Sequence, residues 1–168
     1  MEVNMGLKKT SEPIQISAIV SETGANTFTE AEIQLDLSPL NNEVLLIHAV
    51  DMGVGSPDLV GGTDTITLGS LSTTSRAGIG TISSSNVVAA ATKQIVDGVV
   101  PFTSIAPETP TGNMLDYIGI CATSNMFLQV LGVNNTSAKN VEVRIYCQRA
   151  KADSATYAAL VQSEVLSS

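Results

Sequence analysis

Residues 126–149 read MFLQVLGV (126–133), NNTSAKN (134–140) and VEVRIYCQR (141–149), and this stretch decides the fold. In its last part the apolar residues occupy every second position: Val141, Val143, Ile145 and Cys147. Polar or amphipathic residues fill the alternate positions: Glu142, Arg144, Tyr146 and Gln148. A period of two predicts a strand with one buried and one wet face. The segment 126–133 is more apolar than the one that follows and predicts a strand covered on both faces, so the polar link between them predicts a long hairpin loop.

The same alternation recurs upstream. Segments 14–20, 27–37 and 65–71 alternate, with Ile66 and Leu68 expected to face inward in the last, and the centre of 43–52 is apolar on both faces. Residues 72–86 are rich in Ser, Thr and Gly and predict an exposed connection, whereas Pro101 predicts an edge strand at 99–105. About eight or nine short strands without intervening helices predict an all-β fold, an antiparallel β-sandwich or jelly roll.

The composition limits the core and the partners. Hydrophobic residues are 43% and aromatic residues only 4%, without Trp, so the core is aliphatic, and we expect Phe28, Phe102 and Phe127 within it. Charged residues are 14%, against roughly 25% in an average soluble domain, which suits a surface that is buried against other subunits and also suits a secreted domain. The net charge of −8 argues against extensive nucleic-acid binding, which requires clustered Lys and Arg.

The chain divides into an N-terminal arm (1–13), a sandwich domain (14–149) and a C-terminal tail (150–168). In the tail, Asp153 is a candidate N-cap, and apolar residues at three- and four-residue steps predict a short helix. This helix either folds back on its own sandwich or docks on a neighbouring subunit. The residues expected to form an assembly interface are Leu7, Tyr157, Leu160, Val161 and Val165.

No residue pattern indicates catalysis or a cofactor. The only histidine, His48, lies within a core strand pattern, and the motifs of a nucleophile elbow or a zinc site are missing from the sequence. Cys121 and Cys147 are expected to be buried free thiols, with a cross-strand disulfide as the alternative. A calcium site at Asp51, Asp58 and Asp64 is conceivable, but their spacing fits no EF-hand, and solvated loop carboxylates are the simpler interpretation.

The arm, the short strands with long Ser/Thr/Gly loops, the closing run at 141–149 and the small helical tail together resemble the single jelly-roll capsid proteins of icosahedral viruses. The resemblance implies a structural protein without enzymatic activity, located in the virion, whose partners are copies of itself and other capsid proteins. Many such proteins carry a basic arm that binds the genome, but residues 1–13 are not basic. Genome contact would then fall to an internal membrane or a second protein.

Two other functions remain open from the sequence. One is a jelly-roll binding module, such as a spike or decoration protein, although few aromatic side chains are available to stack on sugars. The other is a subunit of an extracellular filament that exchanges strands, with 14–20 as the donor. No signal-peptide pattern or membrane-spanning run is visible, so we expect synthesis in the host cytoplasm.

Overall fold

The computed structural model describes residues 6–105 and 117–166, with backbone only for 100–105. Ten strands, one 3-10 turn (Pro39–Asn41) and one α-helix follow one another in these ranges. The strands are β1 (Leu7–Lys9), β2 (Ile14–Ser21), β3 (Thr29–Gln34), β4 (Glu43–Val54), β5 (Thr65–Ser72), β6 (Val87–Val96), β7 (Val100–Ile105), β8 (Gly119–Cys121), β9 (Asn125–Val133) and β10 (Asn140–Ala152). The helix α1 spans Ser154–Leu166.

The strands form two five-stranded antiparallel sheets. Sheet A has the order β1-β10-β4-β8, and β2 also pairs with β10, on the same side as β1. Sheet B has the order β3-β9-β5-β6-β7. If β1 and β7 are set aside, the other eight strands form two four-stranded sheets, in the order β2-β10-β4-β8 over β3-β9-β5-β6. This order is a jelly roll, so the predicted all-β sandwich is confirmed.

Aliphatic side chains from the two inner faces fill the space between the sheets. The alternation read from β10 is confirmed, since Val141, Val143, Ile145 and Cys147 are all buried. The edge position predicted for the Pro101 strand is also confirmed, because β7 lies at the end of sheet B. A tight turn at Asp97 and Gly98, both with positive φ, joins it to β6.

The predicted hairpin at 134–140 is wrong. The strand β9 belongs to sheet B, where it pairs with β3 and β5, whereas β10 pairs with β1, β2 and β4 in sheet A. The link is therefore a crossover between the layers. An apolar strand followed by an alternating strand is equally compatible with both connections, because each strand buries one face in the same core.

The prediction that Ile66 and Leu68 of β5 face inward is also wrong. Its fully buried residues include Thr65, Thr67 and Leu71, whereas Ile66 and Leu68 lie opposite Val133 and Leu131 on the outer face of sheet B. The inner face is narrow here, since a methyl group at Gly69 would meet the side chain of Val141. Thr65 and Thr67 therefore fit inside at this end of the strand, and Ile66 and Leu68 face outward.

The connection 72–86, predicted to be exposed, instead folds over part of the outer face of sheet B. The backbone amide of Gly80 donates to Ser70 Oγ, and that of Arg76 donates to Glu30 Oε2. Gln129 lies beneath it, donating to Ser72 Oγ at 2.8 Å and to Glu30 Oε2 at 2.9 Å. A polar sheet face can be buried in this way because each polar side chain finds a partner.

The expected core positions of the phenylalanines are wrong for two of the three. Phe28 and Phe127 are half-buried, and the side chain of Phe102 lies outside the described part.

Candidate functional site

The outer face of sheet A changes character halfway along β10. Near its start the outward residues are charged, Glu142 and Arg144, whereas near its end they are Ala150 and Ala152. The pairing of β10 with its neighbour β4 shifts register between Tyr146 and Cys147, so that His48 is the extra residue of a bulge in β4. On the two sides of the bulge, residues of opposite parity in β4 point outward: odd-numbered residues after it and even-numbered residues before it. The outward residues before the bulge are apolar and lie beside the alanines.

The helix α1 covers the apolar half of this face. The outer cluster, as we call it, consists of Val44, Leu46, Ala122, Ala150 and Ala152, all 3% exposed or less. Tyr157, Leu160 and Val161 of the helix, with Leu7 and Ile120, pack against it. Four of the five residues predicted for assembly thus contact their own domain, while Val165 is 61% exposed at the end of the helix. Their role in assembly stays a prediction.

The N-terminal end of the helix is held by Asp153, as the sequence predicts. Its Oδ1 accepts a hydrogen bond from the backbone amide of Thr156 at 2.7 Å, and its own amide donates to the carbonyl of Gly6. The hydrogen bond from the Thr156 amide lowers the pKa of the Asp153 carboxyl. The arm and the start of the helix are therefore joined.

Near its other end the helix is fastened by Glu164, which the sequence analysis did not single out. Its carboxylate accepts hydrogen bonds from the backbone amides of Ala122, at 2.6 Å, and Thr123, at 3.1 Å. Both amides follow β8, the short edge strand of sheet A. The only signal of this contact in the sequence is an acidic residue in the last turns of the predicted helix. That this residue faces a short edge strand is visible only in the structure.

Replacing Glu164 with Ala is expected to lower the free energy of unfolding by about 2 kcal/mol, because the Ala122 amide is buried and loses its acceptor. Urea denaturation measures this effect. Glu164→Gln keeps one acceptor oxygen and should lose about half as much. Equal losses for the two variants would contradict a hydrogen-bonding role.

A network of loops closes one end of the sandwich. The Glu22 side chain, 6% exposed as a residue, accepts the backbone amides of Thr27, Gly132 and Lys139. Lys139 in turn donates from Nζ to Asp58 Oδ1 at 2.5 Å. These bonds join the crossover 134–139 to the loops after β2 and β4.

Asp58 is the centre of this network. Its Oδ2 accepts hydrogen bonds at 2.9 Å from the backbone amides and the hydroxyls of Thr136 and Ser137. The hydrogen bond from Lys139 holds the pKa of the Asp58 carboxyl well below its usual range, and the Ser137 and Thr136 hydroxyls lower it further. The bonds from the protein occupy both oxygens of this aspartate.

The three aspartates considered for calcium do not converge. Asp51 accepts from Tyr146 Oη at 3.0 Å on the outer face of sheet A, and Asp64 accepts from the amide of Asp97 at 2.8 Å. Within residues 6–105 and 117–166 no group of three or more His, Cys, Asp or Glu side chains is placed to hold a metal ion.

His48 and the cysteines have structural surroundings. The Nε2 of His48 lies 3.2 Å from Gln148 Oε1 at the bulge, where the ring is half-buried. Cys121 and Cys147 are buried free thiols, as predicted. Burial raises the pKa of Cys121 to about 12, with a further contribution from the charge of Glu164, and burial raises the pKa of Cys147 to about 11. Both thiols therefore stay protonated at neutral pH.

Some large apolar side chains are left in solvent in the loops and at the end of the helix. Leu59 and Val99, 73% and 77% exposed, lie on loops that are joined by a hydrogen bond from the Gly62 amide to the Asp97 carbonyl. Leu40 is 96% exposed on the 3-10 turn before β4, and Leu166 follows Val165 at the end of α1. In the part of the chain that is described, no helix has the length and apolar character needed to cross a membrane.

Comparison with known proteins gives the following. No family model matches the chain, and no curated protein matches it. Among solved structures, a chain of the Cocksfoot mottle virus structure matches with 9% sequence identity and a TM-score of 0.35, covering 87% of this chain and 96% of that one. A chain of Desmodium yellow mottle tymovirus matches with 9% identity and a TM-score of 0.31, covering 82% and 88%.

Proposed function

We propose that the chain is a structural, self-assembling capsid (coat) protein of an icosahedral virus, located in the virion and without enzymatic activity. The observation that carries the proposal is a jelly roll with a low-charge surface on which large apolar side chains stay exposed in the end loops and at the end of the helix. Contiguous exposed apolar surface marks protein–protein contacts, and the adjacent Val165 and Leu166 are the candidate for such a contact. Each specific contact between subunits would bury about 1,000 Å² or more.

The described side chains support a structural role. The buried residues Glu22, Gln129 and Glu164 and the partly exposed Asp58 have oxygen atoms that accept hydrogen bonds from the protein itself. Such groups fix loops in place and leave little chemistry for a substrate. Copies of the same chain, with other capsid proteins, are the partners that this arrangement fits.

The proposal predicts that the purified protein forms closed particles. The double variant Val165→Ser with Leu166→Ser should raise the protein concentration needed for particles to form by at least about tenfold. These side chains are 61% and 77% exposed, so the helix should stay docked and the thermal midpoint unchanged. Mass photometry and negative-stain microscopy measure the particles. Ile82→Ser, at a 69% exposed residue of the connection 72–86, is the matched control and should assemble normally.

A monomer at all salt and protein concentrations would contradict the proposal. It would favour the alternative, a binding or decoration module, for which sheet A offers a broad open concavity of about 740 Å³. Polar side chains including Ser17, Asp51, Glu142 and Arg144 line it. A glycan screen would then be the next experiment. Strand exchange in a filament has less support, because the eight jelly-roll strands all come from one chain.

A further inference from the structure

Strands at the edges of sheets expose unpaired backbone groups, and natural proteins protect such edges with charges, proline or short length. Within the described ranges, four of the five edge strands carry such a device. The short β1 (Leu7–Lys9) contains two lysines, β3 (Thr29–Gln34) contains two glutamates, β7 (Val100–Ile105) contains Pro101, and β8 (Gly119–Cys121) has only three residues.

The fifth edge strand, β2, has none of these devices. It spans eight residues, IQISAIVS, without a charge, a proline or a glycine. It pairs with β10 along one side, and no other strand of the described ranges pairs with it. Ile19 on its outer face is 56% exposed. An uncharged, β-branched edge of this length is a template for another strand.

The backbone groups on the free side can be assigned from the register. The amide of Glu22 donates to the carbonyl of Lys139, which continues the pairing of Ser21 with Asn140. In an antiparallel ladder, residues directed at the partner alternate with residues directed away from it. Even-numbered residues of β2 therefore bond to β10, and the odd-numbered ones point their amides and carbonyls at the open edge: Gln15, Ser17, Ile19 and Ser21.

We propose that β2 pairs antiparallel with β2 of a second copy of this chain, around a two-fold axis at Ala18. Ser17 then lies opposite Ile19, and Gln15 opposite Ser21, so that each outward backbone group meets a partner. This inference rests on the proposed self-assembly and identifies one of its contacts. A two-fold contact uses the same surface on both subunits.

A second copy fits this edge for two reasons. The strand is uncharged, so two copies bring no like charges together. Its inward residues Ile14, Ile16 and Ala18 are only partly buried against the core, and the proposed register places Ile16 beside Val20 of the other copy. A register shifted by one residue would pair even-numbered residues of one copy with odd-numbered residues of the other. Inward side chains would then lie opposite outward ones, which excludes such a register.

Ser17→Pro tests the pairing. It removes an amide that points at the open edge and leaves the bonds to β10 in place. The dissociation constant of the dimer should rise by about tenfold or more, because the amide is lost in both copies. Glu32→Pro is the matched control. The amide of Leu35 donates to Ser124 across the pairing of β3 with β9, so Glu32 likewise points its amide at an open edge.

Sedimentation velocity measures the dimer, and amide hydrogen exchange by NMR measures the edge. In the wild type the amides of Ser17 and Ile19 should gain protection as the protein concentration rises, whereas Glu32→Pro should dimerise normally. Particles and dimers that survive Ser17→Pro unchanged would overturn this inference while the proposed function stands. Dimers that are lost in Ser17→Pro but never grow into particles would support the inference and count against the capsid function. A monomer at all concentrations would overturn both, even if an added strand peptide binds the edge.

Discussion

Replacing Asp58 with Ala is expected to lower the free energy of unfolding by about 3 kcal/mol, because the buried ammonium of Lys139 loses its partner. The side chain of Lys139 is only 8% exposed, so water can replace little of the contact that its ammonium loses, whereas Asp58 itself is 25% exposed. In addition, the amides and hydroxyls of Thr136 and Ser137 lose their common acceptor. Thermal unfolding should show a midpoint lower by about 10 °C.

The same variant should change the pH dependence. The folded-state pKa of Asp58 lies below that of the unfolded chain, which is about 3.9. Its stabilising contribution is therefore complete above about pH 4 and is lost as the pH falls through the folded-state pKa. The stability of Asp58→Ala should fall less steeply below pH 4 than that of the wild type.

Asp64→Ala provides the control for Asp58→Ala, since Asp64 lies in the same loop and accepts one backbone amide at an exposed position. It should lose no more than about 1 kcal/mol. Equal losses for the two variants, or parallel pH profiles for Asp58→Ala and the wild type, would contradict the central role of Asp58.

The sequence predicts those parts of the fold that depend on local alternation. The faces of β2, β3 and β10 follow directly from it, and Asp153 is recognisable as a helix cap. Connections between layers are not visible in this way, which is why the pattern predicts a hairpin at 134–140 where the chain crosses between the sheets. The phase of β5 failed because Thr65 and Thr67 are the buried residues, a choice imposed by the close approach of Gly69 to β10.

The candidate site shows the same limit. The network around Asp58 joins residues far apart in the chain, such as Lys139 and Glu22, whose individual positions look like ordinary loop residues. The docking of α1 does have a signal in the sequence. Ala150 and Ala152 replace charged residues on the outer face of β10, and the Val44–Ile47 segment is apolar on both faces. A covered outer face explains both patterns.

Ending the chain at Ala152 is expected to have the largest effect on stability. Without α1, the outer cluster loses its cover, and Val44 and Leu46, now at most 2% exposed, would face water. Together with the hydrogen bonds of Glu164, the loss is on the order of 5 kcal/mol, a large part of the total for a domain of this size. Urea denaturation and binding of a hydrophobic dye measure it. Leu160→Ala, which keeps the helix, should lose about 2 kcal/mol.

The shortened chain should also fail to assemble, but this result alone would not identify an interface. Tyr157, Leu160 and Val161 contact their own sheet, so their removal perturbs the subunit before any contact between subunits is formed. Val165→Ser with Leu166→Ser separates the two causes, because these residues lie beyond the covered cluster and are exposed. Loss of assembly at full stability in this double variant would place the end of the helix at a contact between subunits. Normal assembly in the double variant, with failure only in the shortened chain, would restrict α1 to covering its own sheet. A shortened chain as stable as the full one would show that the outer cluster needs no cover.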